Sequence, residues 1–243
     1  MAAITRSFST RDLFRALLVV PLVGFAMNAA RAAESAVTLP APAVNAAAPP
    51  DTAPQTIVLA GGCFWGVQAV FQHTKGVTAA VSGYAGGDRQ TAHYDMVGSG
   101  STGHAESVAV TFDPRQISYG KILQIYFSVA HNPTELNGQG PDVGTQYRSA
   151  IFFADEEQKR IAESYIAQLE KAHVFARPIV TRLEKLLGFY PAEDYHQDFA
   201  VLHPTYPYIV FNDAPKVENL KRLFAASYRD MPVTVMASSK PSH

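Results

Sequence analysis

Cys63 is the only cysteine of the chain, and it lies in Leu59-Ala60-Gly61-Gly62-Cys63-Phe64-Trp65-Gly66, between an apolar run and a segment of helical periodicity. A thiol at a helix start faces free backbone N–H groups, which favour its anionic, nucleophilic form. Gly61 and Gly62 let the chain turn sharply and leave space for another molecule to approach the sulfur. The same cysteine could equally be a small buried hydrophobe. No Lys or Arg lies within ten residues of it, so any further activation has to come from distant parts of the chain. Phe64 and Trp65 follow at once. Neighbouring side chains on a helix point about 100° apart, so one or both can wall a pocket beside the sulfur instead of entering one core. A single cysteine excludes an intramolecular disulfide framework, a Cys-rich zinc site and a CxxC redox motif.

The elements that must position this thiol follow from periodicity. Thr56 to Ala60 is a short apolar strand, and Phe64 to His73 is a helix carrying Phe64, Val67, Val70 and Phe71 on one stripe. Val77 to Tyr84 is a second strand. His104 to Phe112 alternates, with Glu106, Val108, Val110 and Phe112 on one face. Ser118 is placed to cap a helix running to Ala130, and Asp155 to cap a long one running to about Lys171. Gly138 to Gly144 is a loop, Arg148 to Phe153 and Pro178 to Leu186 are strands, Ala192 to His203 is a helix, and a last helix falls between Asp213 and Tyr228. Irregular alternation with amphipathic strands predicts an α+β fold: a mixed or antiparallel sheet with helices packed on it, in a single domain over residues 56–228.

Residues 1–33 have the form of an export signal. Arg6, Arg11 and Arg15 precede an uncharged run from Ala16 to Ala30, and Ala30-Arg31-Ala32 is a small-x-small cleavage site. The expected location is the periplasm. An organelle transit peptide, which Ser7, Ser9 and Thr10 would suit, is the alternative. Residues 34–55 are rich in Ala and Pro and read as an extended linker, and residues 229–243 as a C-terminal tail. Over the whole chain 20 basic residues stand against 21 acidic ones, with no basic stripe for nucleic acid. After cleavage no further apolar run suits a membrane, and a monomer is expected.

Five blocks carry a resemblance. Gly62-Cys63-Phe64-Trp65-Gly66, Ser82-Gly83-Tyr84-Ala85-Gly86-Gly87, Thr102-Gly103-His104-Ala105-Glu106, Asp142-Val143-Gly144-Thr145-Gln146-Tyr147-Arg148-Ser149 and Ala192-Glu193-Asp194-Tyr195-His196-Gln197 occur in this order. Across roughly residues 56 to 220 the chain resembles the peptide methionine sulfoxide reductase A family. The resemblance implies a reductase of the S epimer of methionine sulfoxide, in proteins and as the free amino acid. Cys63 then attacks the sulfoxide sulfur, and Glu106 is the acid that protonates the departing oxygen, which requires burial to raise its pKa. Tyr94 and Tyr147 match two phenols that donate to the sulfoxide oxygen. Phe64 and Trp65 hold the methyl group, Asp142 matches a polar residue that helps position substrate, and Tyr208 is similar to a tyrosine near the family's C-terminal region. Tyr84 reads as a core tyrosine with a satisfied hydroxyl.

One departure concerns regeneration. Many family members carry further cysteines near the C-terminus, and here the stretch from His203 to Asp213 has none. The resemblance therefore implies a Cys63 sulfenic acid reduced by an external thiol: a thioredoxin-like protein, a glutaredoxin or a small thiol. No bound cofactor or metal is implied. Three other readings share some of these residues. A Cys-His acyl hydrolase would need one of the eight histidines as base. A metal site could use His104 with Glu106 or Glu193 with His196, although the P-C-x-x-C partner of an H-x-E deaminase is missing. A non-catalytic methionine-binding module would use the aromatic pocket alone.

Overall fold

A computed structural model describes residues 36–45 and 53–238. The export signal expected over residues 1–33, linker residues 34–35 and 46–52 and tail residues 239–243 lie outside the described residues. Strand β1 (Gln55–Gly61) leads into helix α1 (Phe64–Gln72), followed by β2 (Val77–Ala85), the short α2 (Tyr94–Val97), β3 (Ala105–Phe112) and α3 (Tyr119–Ile125). A two-stranded hairpin, β4 (Gly138–Gln139) and β5 (Asp142–Val143), precedes β6 (Ser149–Phe153) and α4 (Glu156–Lys171). Then come β7 (Arg182–Lys185), β8 (Phe189–Pro191), α5 (Phe199–Leu202), α6 (Ala214–Leu223) and α7 (Val235–Ser238).

Six strands form one sheet in the order β7-β6-β1-β3-β2-β8. Every pairing is antiparallel except β6 with β7. This is the mixed sheet with helices packed on it that the pattern predicts. Alternation sorts β1 between two faces: Ile57 and Leu59 join the main core, and Val58 and Ala60 a smaller cluster with Ala105, Ala150 and Phe152. In the main core Val108, Val110 and Phe112 of β3 meet Phe64, Val67, Val70 and Phe71 of α1, with Ile122 of α3 and Ile161 and Tyr165 of α4. Burying each large apolar side chain contributes about 1.5–3 kcal/mol, so this layer holds α1 on the sheet. Both expected caps form: Ser118 Oγ accepts from Lys121 N at 3.2 Å, and Asp155 Oδ1 from Gln158 N at 2.8 Å.

Four expectations need correction. Helix α3 ends at Ile125, and residues 126–130 form a wider π turn. The loop from Gly138 to Gly144 contains the β4–β5 hairpin. The strand expected from Pro178 shortens to β7, because Val180 N donates to Pro133 O at 2.8 Å and so leaves the sheet. The helix expected from Ala192 to His203 is broken, with only a 3-10 turn at Asp194–His196 and α5 remaining. Buried side-chain bonds override its periodicity. Gln197 accepts from Ser82 N at 3.0 Å and donates to Ser82 O at 2.9 Å. Asp198 takes a left-handed φ of 57°, and its carboxylate accepts from Gln72 Nε2 at 2.6 Å and from the N–H groups of Val235 and Met236. The last helix falls between Asp213 and Tyr228 as expected, closing at Leu223.

The terminal segments are docked, which composition did not predict. Residues 36–45 run without secondary structure across α3, the π turn and α4, with Leu39 only 5% exposed. Their backbone is satisfied by side chains: Gln124 Nε2 donates to Leu39 O at 2.8 Å, Tyr165 Oη to Pro40 O at 2.9 Å, and Gln168 Nε2 to Ala41 O at 2.9 Å. Segment 229–238 also packs on the domain, with Val233 N bonded to Gln72 O at 3.1 Å. An Ala- and Pro-rich stretch lacks apolar mass of its own, but it orders here because the domain supplies the hydrogen-bond partners. Leu39→Ala is therefore expected to cost about 2 kcal/mol in urea unfolding. An unchanged midpoint would show that the strap contributes nothing.

Candidate active site

Strand β1 delivers the chain to Gly62, whose φ of +84° turns it into α1 with Cys63 at the N-cap. A side chain at Gly62 would bring its Cβ within 2.5 Å of Gln139 Cβ, so the turn has both a conformational and a steric need for glycine. Strand β3 lies beside β1, pairing Val108 with Leu59. Glu106, two residues earlier on the same face, thereby meets the first turn of α1, where Phe64 N donates to Glu106 Oε2 at 3.1 Å. Tyr94 opens α2, Tyr147 ends a 3-10 turn, Asp142 comes from β5, and Tyr208 from the chain before a π turn over Ile209–Asp213. Together with Cys63, Phe64, Trp65 and Glu106 they line one cavity of about 230 Å³. All eight residues singled out in the sequence face it, and Tyr206 is the ninth. Tyr84 is not among them; it is fully buried and donates to Glu193 Oε2 at 2.8 Å.

Burial sets the electrostatics. Glu106 is 4% exposed, and its carboxyl is pushed up to about 8, mainly by loss of water, with Asp142 and Asp213 adding to the rise and the Phe64 N–H opposing it. Near neutral pH it is therefore largely a neutral acid. The thiol behaves otherwise than its place at a helix start predicts. The Trp65 N–H does favour the anion, but burial and the charges of Glu106 and Asp213 outweigh it and raise the Cys63 thiol. Burial likewise raises Tyr94 and Tyr147, which stay phenols. The resting cavity is thus loaded with protons and suited to an uncharged ligand carrying an acceptor oxygen.

The aromatic wall is fixed by residues that sequence reasoning missed or read differently. Trp65 stacks on Phe199 with ring centroids 3.8 Å apart, and its Nε1 donates to His196 Nδ1 at 3.2 Å. Tyr206 and Tyr208 stand edge-on to the indole. Phe64 is buried against Tyr84 and His196. Glu193 holds the Tyr94 N–H at 3.0 Å as well as the Tyr84 hydroxyl. Glu193 and His196, paired above as a conceivable metal site, are here props of the pocket, and His104 Nε2 bonds to Asp88 O. Among the described residues no group of three or more His, Cys, Asp or Glu side chains is arranged to hold a metal. Among the described residues no histidine lines the cavity, so an acyl hydrolase would find no imidazole base there. The Glu193–His196 block was visible in the sequence. For Tyr206 the only signal is its i, i+2 relation to Tyr208, and for Phe199 there is none.

Residues 55–228 match the family described as Peptide methionine sulfoxide reductase. The chain belongs to that family. It is 63% identical over 185 residues to Peptide methionine sulfoxide reductase MsrA 2 of Mesorhizobium japonicum, covering 76% of this chain and 95% of the relative. With the protein of the same name from Synechocystis sp. it shares 48% identity over 168 residues, 69% of this chain and 78% of the relative. Reduced Mxr1 from Saccharomyces cerevisiae superposes with a TM-score of 0.57 at 31% identity, covering 63% of this chain and 87% of the yeast chain. Methionine sulfoxide reductase A of Corynebacterium diphtheriae gives 0.54 at 32% identity, with 71% and 86% covered. For this reductase family member, Gly62→Ala is expected to lower stability by about 1–3 kcal/mol through strained backbone and overpacking against Gln139. Thermal unfolding measures it, and a wild-type midpoint would refute the steric argument.

Proposed function

We propose that this enzyme is a peptide-methionine (S)-S-oxide reductase that uses Cys63 as its nucleophile and Glu106 as its acid. The observation that carries the reading is the convergence, in one small cavity, of a thiol, a neutral carboxyl, two phenols and an aromatic wall. The methyl group of an oxidised methionine packs against Phe64 and Trp65, which turns its sulfur toward Cys63 and selects one hand of the sulfoxide. Tyr94 and Tyr147 donate to the sulfoxide oxygen, where negative charge grows as the S–O bond weakens. Glu106 delivers its proton to that oxygen, and Asp142, bonded to Tyr208, closes the polar side. In sum, the thiol and the sulfoxide give a Cys63 sulfenic acid and a thioether: one sulfur loses two electrons and the other gains them.

Cys63 is the only cysteine, so the sulfenic acid is returned to thiol by two equivalents of an external thiol, which leave as a disulfide with one water. A thioredoxin-like protein, a glutaredoxin or a small thiol can fill that role. The sequence of residues 1–33 supports export to the periplasm. There the enzyme acts as a monomer on oxidised proteins and free methionine sulfoxide.

Cys63→Ser is expected to abolish turnover with dithiothreitol. Wild type without reductant releases one methionine per enzyme, and several per enzyme would contradict a one-cysteine cycle. Glu106→Gln is expected to slow single-turnover release by roughly 10²–10⁴-fold. The working form of Glu106 is the protonated one, present below its raised pKa and lost as pH climbs through about 8. Release in wild type should therefore fall on that basic limb and Glu106→Gln should lack it; the same limb in both proteins would remove Glu106 as the acid.

A further inference from the structure

We propose that the buried Asp213–Lys216 pair beneath the first turn of α1 is a positioning pair that helps hold Cys63 in its thiol form in the ligand-free site. Its catalytic meaning rests on the reductase reading above; its effect on the sulfur does not. Asp213 is 0% exposed and Lys216 6%, with Nζ 3.3 Å from Oδ1. The pair lies directly against the helix that carries the thiol. A Cβ on Gly66, three residues after Cys63, would come within 2.1 Å of Asp213 Oδ1 and 3.0 Å of Lys216 Nζ. Asp213 Oδ2 is buried without a hydrogen-bond partner. A carboxylate held dry in this way keeps its field, because water is not there to screen it.

The groups that feel the pair are Cys63 on α1, Glu106 on β3, Asp142 on β5, Tyr208, and His131. The negative end acts on the reacting groups: burial raises Cys63, Glu106 and Tyr208, and Asp213 adds to each rise. Burial raises Asp142, and raises Asp213 to about 6, while Lys216 opposes both rises; at His131 burial lowers the imidazole and Lys216 adds to that lowering. The arrangement therefore sets a carboxylate against the first turn of the helix that starts at the thiol and backs it with an ammonium that makes its burial tolerable. Two consequences follow. The lone thiol, with no second cysteine in the chain to rescue it, resists ionisation and so resists oxidants and stray disulfides. The same field helps keep Glu106 protonated and ready to donate.

The test is the pH dependence of Cys63 alkylation by iodoacetamide in the full-length protein, which requires no reductase activity. Asp213→Asn removes the negative end and leaves Lys216, so the alkylation midpoint is expected to fall by roughly one pH unit or more. That corresponds to about tenfold faster labelling at a fixed pH below the midpoint. Asp213→Asn/Lys216→Met removes both charges and is expected to give a smaller fall; it decides the matter if the single variant does not fold. In the same variants the basic limb of single-turnover methionine release should move below about pH 8, which a purely structural role would not produce. An alkylation midpoint that stays put or rises in the folded variants overturns the proposal. A lowered midpoint in a protein that reduces no sulfoxide would leave the proposal standing and sink the reductase reading.

Discussion

The bond from Phe64 N–H to Glu106 Oε2, 3.1 Å long and buried, ties the helix of the nucleophile to the strand of the acid. Everything else in the site depends on that closeness. It exists because β1 and β3 are neighbours in the sheet and because Phe64 and the β3 face that carries Glu106 enter the same buried layer. The same burial takes water from the carboxyl and the thiol together. Both are pushed toward their neutral forms, so the site stores the protons it needs at the place where an oxygen has to be released.

A proton-loaded pocket suits a sulfoxide, which is uncharged but strongly accepting at oxygen. It offers little to a carboxylate or phosphate, which would add to the charges of Asp142 and Asp213. The aromatic side is rigid for a different reason. Trp65 is held on three sides, by Phe199 in a stack, by His196 through its N–H, and by the edges of Tyr206 and Tyr208. Those partners come from the broken stretch after Ala192, whose shape is fixed by Gln197 and Asp198 reaching back to β2 and α1. Pocket geometry is thus paid for by hydrogen bonds buried well away from the sulfur.

What the sequence revealed follows the range of the interactions. The turn at Gly62, the helix behind Cys63 and the inward alternation of Glu106, Val108 and Val110 are local patterns, and they were legible. The roles of Tyr94, Tyr147, Asp142 and Tyr208 came only from the resemblance, since nothing in their own spacing points to one cavity. Residues 192–203 have helical periodicity, yet tertiary bonds of Gln197 and Asp198 break it, and no local rule could foresee that. Segment 36–45 has the composition of a free linker and is ordered by donors on α3 and α4 more than 80 positions away in the chain. The charge state of the thiol differs from expectation for the same reason: the helix start is visible in sequence, whereas the burial and the Glu106 and Asp213 charges that raise Cys63 arise only through the fold.

The most direct measurement of the central claim is the mass of the Cys63 peptide after a single turnover with a peptide containing methionine S-sulfoxide, trapped with dimedone and without reductant. The account predicts a stoichiometric dimedone adduct on Cys63, the mark of a sulfenic acid, and none with the R epimer. An unmodified Cys63 alongside fully reduced peptide would mean that the oxygen never passed to this sulfur, and the account would be wrong.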